Sequence, residues 1–303
     1  MKKKNEKIKL NEKELNIFKN LQRQIIDIAK HVRQGSFKTR DRYQSAVERF
    51  CKHLAKEFKT QKFANIQDKH LESYIKELQN KGRDAGYIKT ELSAIRFYHN
   101  KCQNTKFELS DNQAFELEKR EIGGVDRSWS DKSFEEYVKL CERRGRYRDK
   151  SIAVLAKELG LRIHETLRID KNTAEKALKE NHIHIKGKNG KWRYVPMTDK
   201  AKQVLYEQMK EVNRGEKLFV KDDEKTHLII KQVQNFINKN REKFMYEKDG
   251  HADITFHGIR HKYARQKYEE FIKSGCNSYN ARKNVSELLG HERDEVTRIY
   301  LAK

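Results

Sequence analysis

The chain has 303 residues, with 68 Lys and Arg against 45 Asp and Glu, for a formal net charge of +23. That length suggests two domains at about 150 residues each, both able to bury a core, and so positive a balance points to a polyanionic partner, nucleic acid first. No apolar run nears the about 18 residues that cross a bilayer, no apolar stretch follows the basic start, and Cys51, Cys102, Cys141 and Cys276 form no CxxC pair, so neither a membrane-spanning, an exported nor a disulfide-framework protein is expected, and a cytoplasmic, nucleoid-associated one is.

Pro196 is the single proline, so long helices are permitted nearly everywhere. Residues 12–33 place Leu15, Ile17, Phe18, Leu21, Ile25, Ile26, Ile28 and Ala29 at helical spacing. Residues 38–58 do the same with Tyr43, Ala46, Val47, Phe50, Leu54 and Phe58, residues 67–80 with Leu71, Tyr74, Ile75 and Leu78, and residues 86–100 with Tyr87, Leu92, Ile95, Phe97 and Tyr98. Lys and Arg occupy the outward faces, which predicts a helical bundle with a basic exterior. Turn signals gather at Gly123 and Gly124, and Ser128 or Ser130 can cap a helix near 131–143. The second half reads as mostly helical except near 182–197, where two β-prone runs flank Gly187-Lys188-Asn189-Gly190 and the Asn-Gly pair favours a tight hairpin turn. The expected fold is mainly α with a small β-hairpin: a helical N-terminal domain over 1–118, a linker over 119–127 and a mixed α/β domain over 128–303.

Several residues of the second half can carry chemistry. Gly160 should end one helix and Arg162 begin the next, with Glu165 three residues on to brace it. Lys188 sits at the hairpin tip, where it can donate a proton if the loop reaches a phosphate. His257 and Arg260 are three apart on a helix, where both can donate to an anion; His261 and His164 read as structural or exposed. His291 follows Gly290, and Tyr300 comes nine residues later. Taken singly these are an ion pair, a loop lysine and a packing tyrosine. A tyrosine, with a pKa of about 10, attacks only with cations and a proton acceptor beside it.

Taken in order they are more specific. Gly-Leu-Arg-x-x-Glu at 160–165, Gly-Lys at 187–188 before Arg-x-Val-Pro at 193–196, His-x-x-Arg-His at 257–261, Leu-Gly-His at 289–291 and Thr-x-x-Tyr-Leu at 297–301 together resemble the tyrosine recombinase (phage integrase) family across the C-terminal half. The N-terminal bundle is similar to that family's core-binding domain. The resemblance implies a site-specific recombinase or integrase that cleaves and rejoins double-stranded DNA through a 3′-phosphotyrosyl link, without metal, cofactor or ATP. It implies that Arg162 and Arg260 clamp the scissile phosphate, His257 takes the tyrosine proton, His291 adds a hydrogen bond, Lys188 protonates the leaving 5′ oxygen, Tyr300 attacks, and Glu165 supports the site. It further implies a C-shaped clamp on DNA and a tetramer on two DNA sites, with a directionality factor as a further partner and no membrane association. Leu159 stands where relatives often have threonine, and Lys273 to Ser278 reads as an inserted loop. Three residues follow Tyr300, so contact between protomers is expected to run through the tyrosine helix rather than a longer tail, and no arm-binding domain is expected in the short N-terminal stretch. The alternatives are a type IB topoisomerase-like enzyme and a catalytically inactive DNA-binding protein; a strand-cleavage assay separates enzymes from binders.

Overall fold

The computed structural model describes residues 10–119, 126–187, 190–246, 254–291 and 294–301. The chain divides into two compact units, Met1–Arg120 and Glu121–Lys303.

The first unit is built from α1 (Glu12–His31), α2 (Phe37–His53), α3 (Asp68–Asn80) and α4 (Ala85–His99), with a π-helical turn over Leu54–Phe58 prolonging α2. Local chemistry starts three of the four helices: Asn11 and Glu14 form a reciprocal capping box on α1, and Ser36 and Asp84 accept from the first turns of α2 and α4. Leu21, Ile25, Phe50, Leu54, Leu71, Leu92 and Ile95 meet in a fully buried core, each worth about 1.5–3 kcal/mol relative to exposure. The buried stripe of α1 is narrower than its apolar spacing suggests, since Leu15 and Ile26 remain exposed.

The second unit runs α5 (Asp131–Arg143), α6 (Tyr147–Leu159), α7 (Ile163–Thr166), α8 (Lys171–Glu180), β1 (His182–Lys186), β2 (Trp192–Pro196), α9 (Asp199–Met209), α10 (Thr226–Asn240), α11 (Phe256–Lys273), α12 (Ser278–Leu289) and α13 (Asp294–Tyr300). Ser130 caps α5, whereas Ser128 turns its hydroxyl to Asp126. Trp129, Tyr137 and Phe244 pack their rings at the core, and the Trp129 indole donates to the Thr255 carbonyl at 2.7 Å, which anchors the start of α11. The segment expected as an inserted loop is short: α11 reaches Lys273 and α12 starts at Ser278, capped by Asn277. No helix among the described residues is long and apolar enough to cross a membrane.

The tight Asn-Gly turn expected at the hairpin tip falls on Asn189, which lies outside the described residues. The strands that flank it pair Lys186 with Trp192 and Ile183 with Val195, a register that puts Ile183, Ile185 and Val195 together on the buried face.

Candidate active site

Gly160 ends α6 with a left-handed backbone (φ 60°), and a Cβ there would lie 2.4 Å from the Tyr263 ring; only glycine fits without displacement. The chain reverses and presents Arg162 as the cap of α7. Glu165, fully buried one turn on, accepts from the Arg162 backbone (2.8 Å) and its Nη1 (2.9 Å). Arg193 of β2 forks onto the same carboxylate at 3.1 and 2.7 Å, and Arg260 Nη1 stands 3.8 Å from it. Three guanidinium groups thus face a single carboxylate. Burial alone would raise the Glu165 carboxyl, but the hydrogen bonds and charge of Arg193, with Arg162 and Arg260, hold it down to about 2. Arg162 is the member of this cluster that still reaches solvent, with 19% of its side chain exposed.

Arg260 comes from the first turns of α11, 1% exposed. Its Nη atoms donate to the carbonyls of Gly160 and Leu289, the latter at the C-terminal end of α12, where unpaired carbonyls attract cations. Its buried Nε has no hydrogen-bond partner among the described residues. Burial and the neighbouring Arg162 lower its guanidinium to about 10.

Gly290 closes α12 in a left-handed turn, which places His291 beside Arg260 at 3.3 Å. A guanidinium can only donate, so His291 Nε2 accepts and its Nδ1 donates to Thr297 of α13 at 3.1 Å. Tyr300, at the end of the same helix, is 6% exposed and lies 3.0 Å from His257 Nε2 through its phenol oxygen. The Arg260 guanidinium stands 5.8 Å from the Tyr300 ring centre, and the His261 ring stacks on that ring at 4.3 Å. Burial, reinforced by Arg260 and Arg162, pushes His257 down to about 4 and His291 to about 3; burial and His257 push His261 to about 3. All three imidazoles are therefore neutral at pH 7.

The fold thus gathers Arg162, Glu165, His257, Arg260, His291 and Tyr300 from α7, α11, α12, α13 and the turns before them. Lys188 lies outside the described residues. His261, read as structural or exposed, is buried against Tyr300, in line with the structural reading. One participant was not expected. Arg193 entered the sequence reading only as a motif letter; its signal was its place in the same alternating phase as Val195, the inward face of β2. His164 is half-buried, and burial lowers its imidazole.

The model of the phage integrase family matches residues 130–303, and that of its N-terminal domain matches residues 18–106. The chain belongs to the phage integrase family. With it, the chain joins the tyrosine site-specific recombinases. Among similar proteins, the tyrosine recombinase XerC of Chlamydia caviae is 26% identical over 239 residues, covering 75% of this chain and 70% of the relative. The XerC of Chlamydia trachomatis is 28% identical over 158 residues, covering 51% of this chain and 46% of the relative. The fold is shared with a lambda integrase (75–356) dimer bound to a core site, with a TM-score of 0.62, 17% identity and coverage of 92% and 94% of the two chains. It is shared also with a Tn1549 transposon integrase in complex with circular intermediate DNA, at TM-score 0.58, 14% identity and coverage of 93% and 95%. Mostly helical architecture with a two-stranded antiparallel sheet is therefore the fold of this family member.

Proposed function

We propose that the chain cleaves and rejoins double-stranded DNA with Tyr300 as nucleophile. The observation that carries this is the Tyr300 phenol within hydrogen-bond reach of a neutral imidazole, beside guanidinium groups that outnumber their carboxylate. The Tyr300 oxygen forms a bond to the scissile phosphorus while the bond to the 5′ oxygen breaks; His257 Nε2 takes the phenol proton. Arg162 and Arg260 hold the non-bridging oxygens, whose charge grows in the transition state. His291 adds a hydrogen bond by accepting from Arg260 and so steadying its guanidinium, and Lys188 protonates the departing 5′ oxygen. One phosphodiester is exchanged for another, so rejoining needs no ATP, and the charge is met by side chains rather than a metal.

In this reading residues 1–118 bind the core DNA site, 119–127 link, and 128–303 catalyse, and affinity falls steeply with salt as phosphate contacts release counterions. Assembly of four protomers on two DNA sites is supported by the fold shared with a lambda integrase tetramer bound to a Holliday junction (TM-score 0.61, 16% identity). The test is a duplex nicked near the cleavage point, drawn from DNA flanking the gene, incubated without added metal. Wild type is expected to give a covalent protein–DNA band that Tyr300→Phe loses while still binding DNA. A covalent band from Tyr300→Phe, or binding with no band from wild type on any flanking substrate, overturns the reading.

A further inference from the structure

Among the described residues two arginines are buried, Arg260 and Arg193. The reaction proposed above employs the first and leaves the second without a role. Arg193 points inward from β2, opposite Ile185 in the register. Each of its guanidinium nitrogens donates: Nη1 and Nη2 to the two oxygens of Glu165, and Nε to the Leu288 carbonyl at 2.9 Å. It therefore joins the hairpin to α7 and to the last turn of α12.

Those two attachment points lead to the phosphate-binding groups. Glu165 holds Arg162 by backbone and side chain, and the Leu289 carbonyl beside Leu288 accepts from Arg260. Two glycines lie against the Arg193 side chain: a Cβ on Gly290 would be 3.1 Å from its Cδ, and one on Gly187 would be 3.3 Å from its Nη1. Gly290 precedes His291, and Gly187 precedes Lys188.

We propose that Arg193 is a positioning residue for the cleavage reaction: through Glu165 it sets the place of Arg162 and Arg260, and through the end of α12 that of His291. This rests on the reading of the site given above. The planar fork is essential, because lysine carries the charge but cannot hold both carboxylate oxygens and the Leu288 carbonyl at once. Glu165 faces Arg193 from β2, Arg162 from its own turn, and Arg260 and His257 from α11. With Arg193 gone, burial works against the ionised carboxylate with fewer cations to oppose it, and Glu165 takes up a proton at higher pH.

The test uses the full chain with Arg193→Lys and Arg193→Met, measuring DNA affinity and the rate of covalent adduct formation at saturating nicked duplex from pH 5 to 8. Affinity is expected within about threefold of wild type, because phosphate contacts are spread over the whole DNA-binding face. The rate is expected to fall about 10-fold in Arg193→Lys and about 100-fold in Arg193→Met, as a small misplacement of binding groups costs. Arg193→Met is also expected to lose rate further toward pH 5, where wild type does not, and Arg193→Lys to recover part of that acid limb. A folded Arg193→Met with the wild-type rate and pH profile overturns the proposal; should that variant not fold, a wild-type rate in Arg193→Lys does so. Independently of any reaction, the Glu165 carboxyl carbon is followed by NMR, assigned with Glu165→Gln. Titration at higher pH in Arg193→Lys than in wild type supports the coupling even if wild type forms no adduct, which would sink the site reading alone; an unchanged titration overturns the proposal.

Discussion

The phenol oxygen of Tyr300 lies 3.0 Å from Nε2 of His257, across 43 residues of sequence. Helix α13 delivers the one and the first turn of α11 the other, and burial keeps the imidazole neutral and able to accept.

Removing that acceptor tests its part in the reaction. His257→Ala is expected to slow single-turnover adduct formation by about 100-fold or more, the usual worth of a positioned base, with DNA affinity little changed. A wild-type rate would remove His257 from the proton transfer.

The histidine cluster also makes stability depend on pH. His257, His261 and His291 have folded pKa values lowered to about 4, 3 and 3, from an ordinary 6.5. Below pH 6.5 the unfolded chain binds protons that the folded chain refuses, so the folded state loses stability as pH falls from 6.5 toward 4. Each histidine is expected to cost on the order of 1–2 kcal/mol between pH 7 and 5, read as a falling melting temperature that replacement of His261 by Phe partly restores. A melting temperature constant over that range would contradict the buried neutral cluster.

Glu165 balances Arg162, Arg193 and Arg260 at the centre of the site. Glu165→Leu leaves those charges buried and uncompensated, at an expected cost of about 3–5 kcal/mol. Sulfate is expected to recover part of this by occupying the vacated anion position. Thermal melts with and without sulfate measure both effects, and a sulfate response no larger than that of wild type would argue against an anion-binding cluster.

Gly160 and Gly145 both have left-handed backbones, φ 60° and 62°, but only Gly160 has a neighbour in the way of a Cβ. Gly145→Ala is expected to cost about 1–2 kcal/mol, the backbone penalty. Gly160→Ala is expected to cost more, because Tyr263 must move, and to slow adduct formation, because the Gly160 carbonyl holds Arg260. Urea midpoints compare the two; equal costs would mean that the Tyr263 contact is slack.

Sequence alone was sufficient for the parts of this protein governed by neighbours within a turn or two. The apolar faces of α2 to α4, the helix stop at Gly160 and the brace from Glu165 to Arg162 all follow from contacts between residues three or four apart. The ordered motifs named the family because chemistry dictates residue types as well as positions. Tertiary structure decided the rest. The pairing of β1 with β2 brings Ile183, Ile185 and Val195 together on one buried face. Arg193 reaches Glu165 across 28 residues and Leu288 across 95, and His261 is neutral because it is packed beneath Tyr300. Burial and electrostatic environment are sums over residues brought close by packing, and no spacing along the chain encodes them.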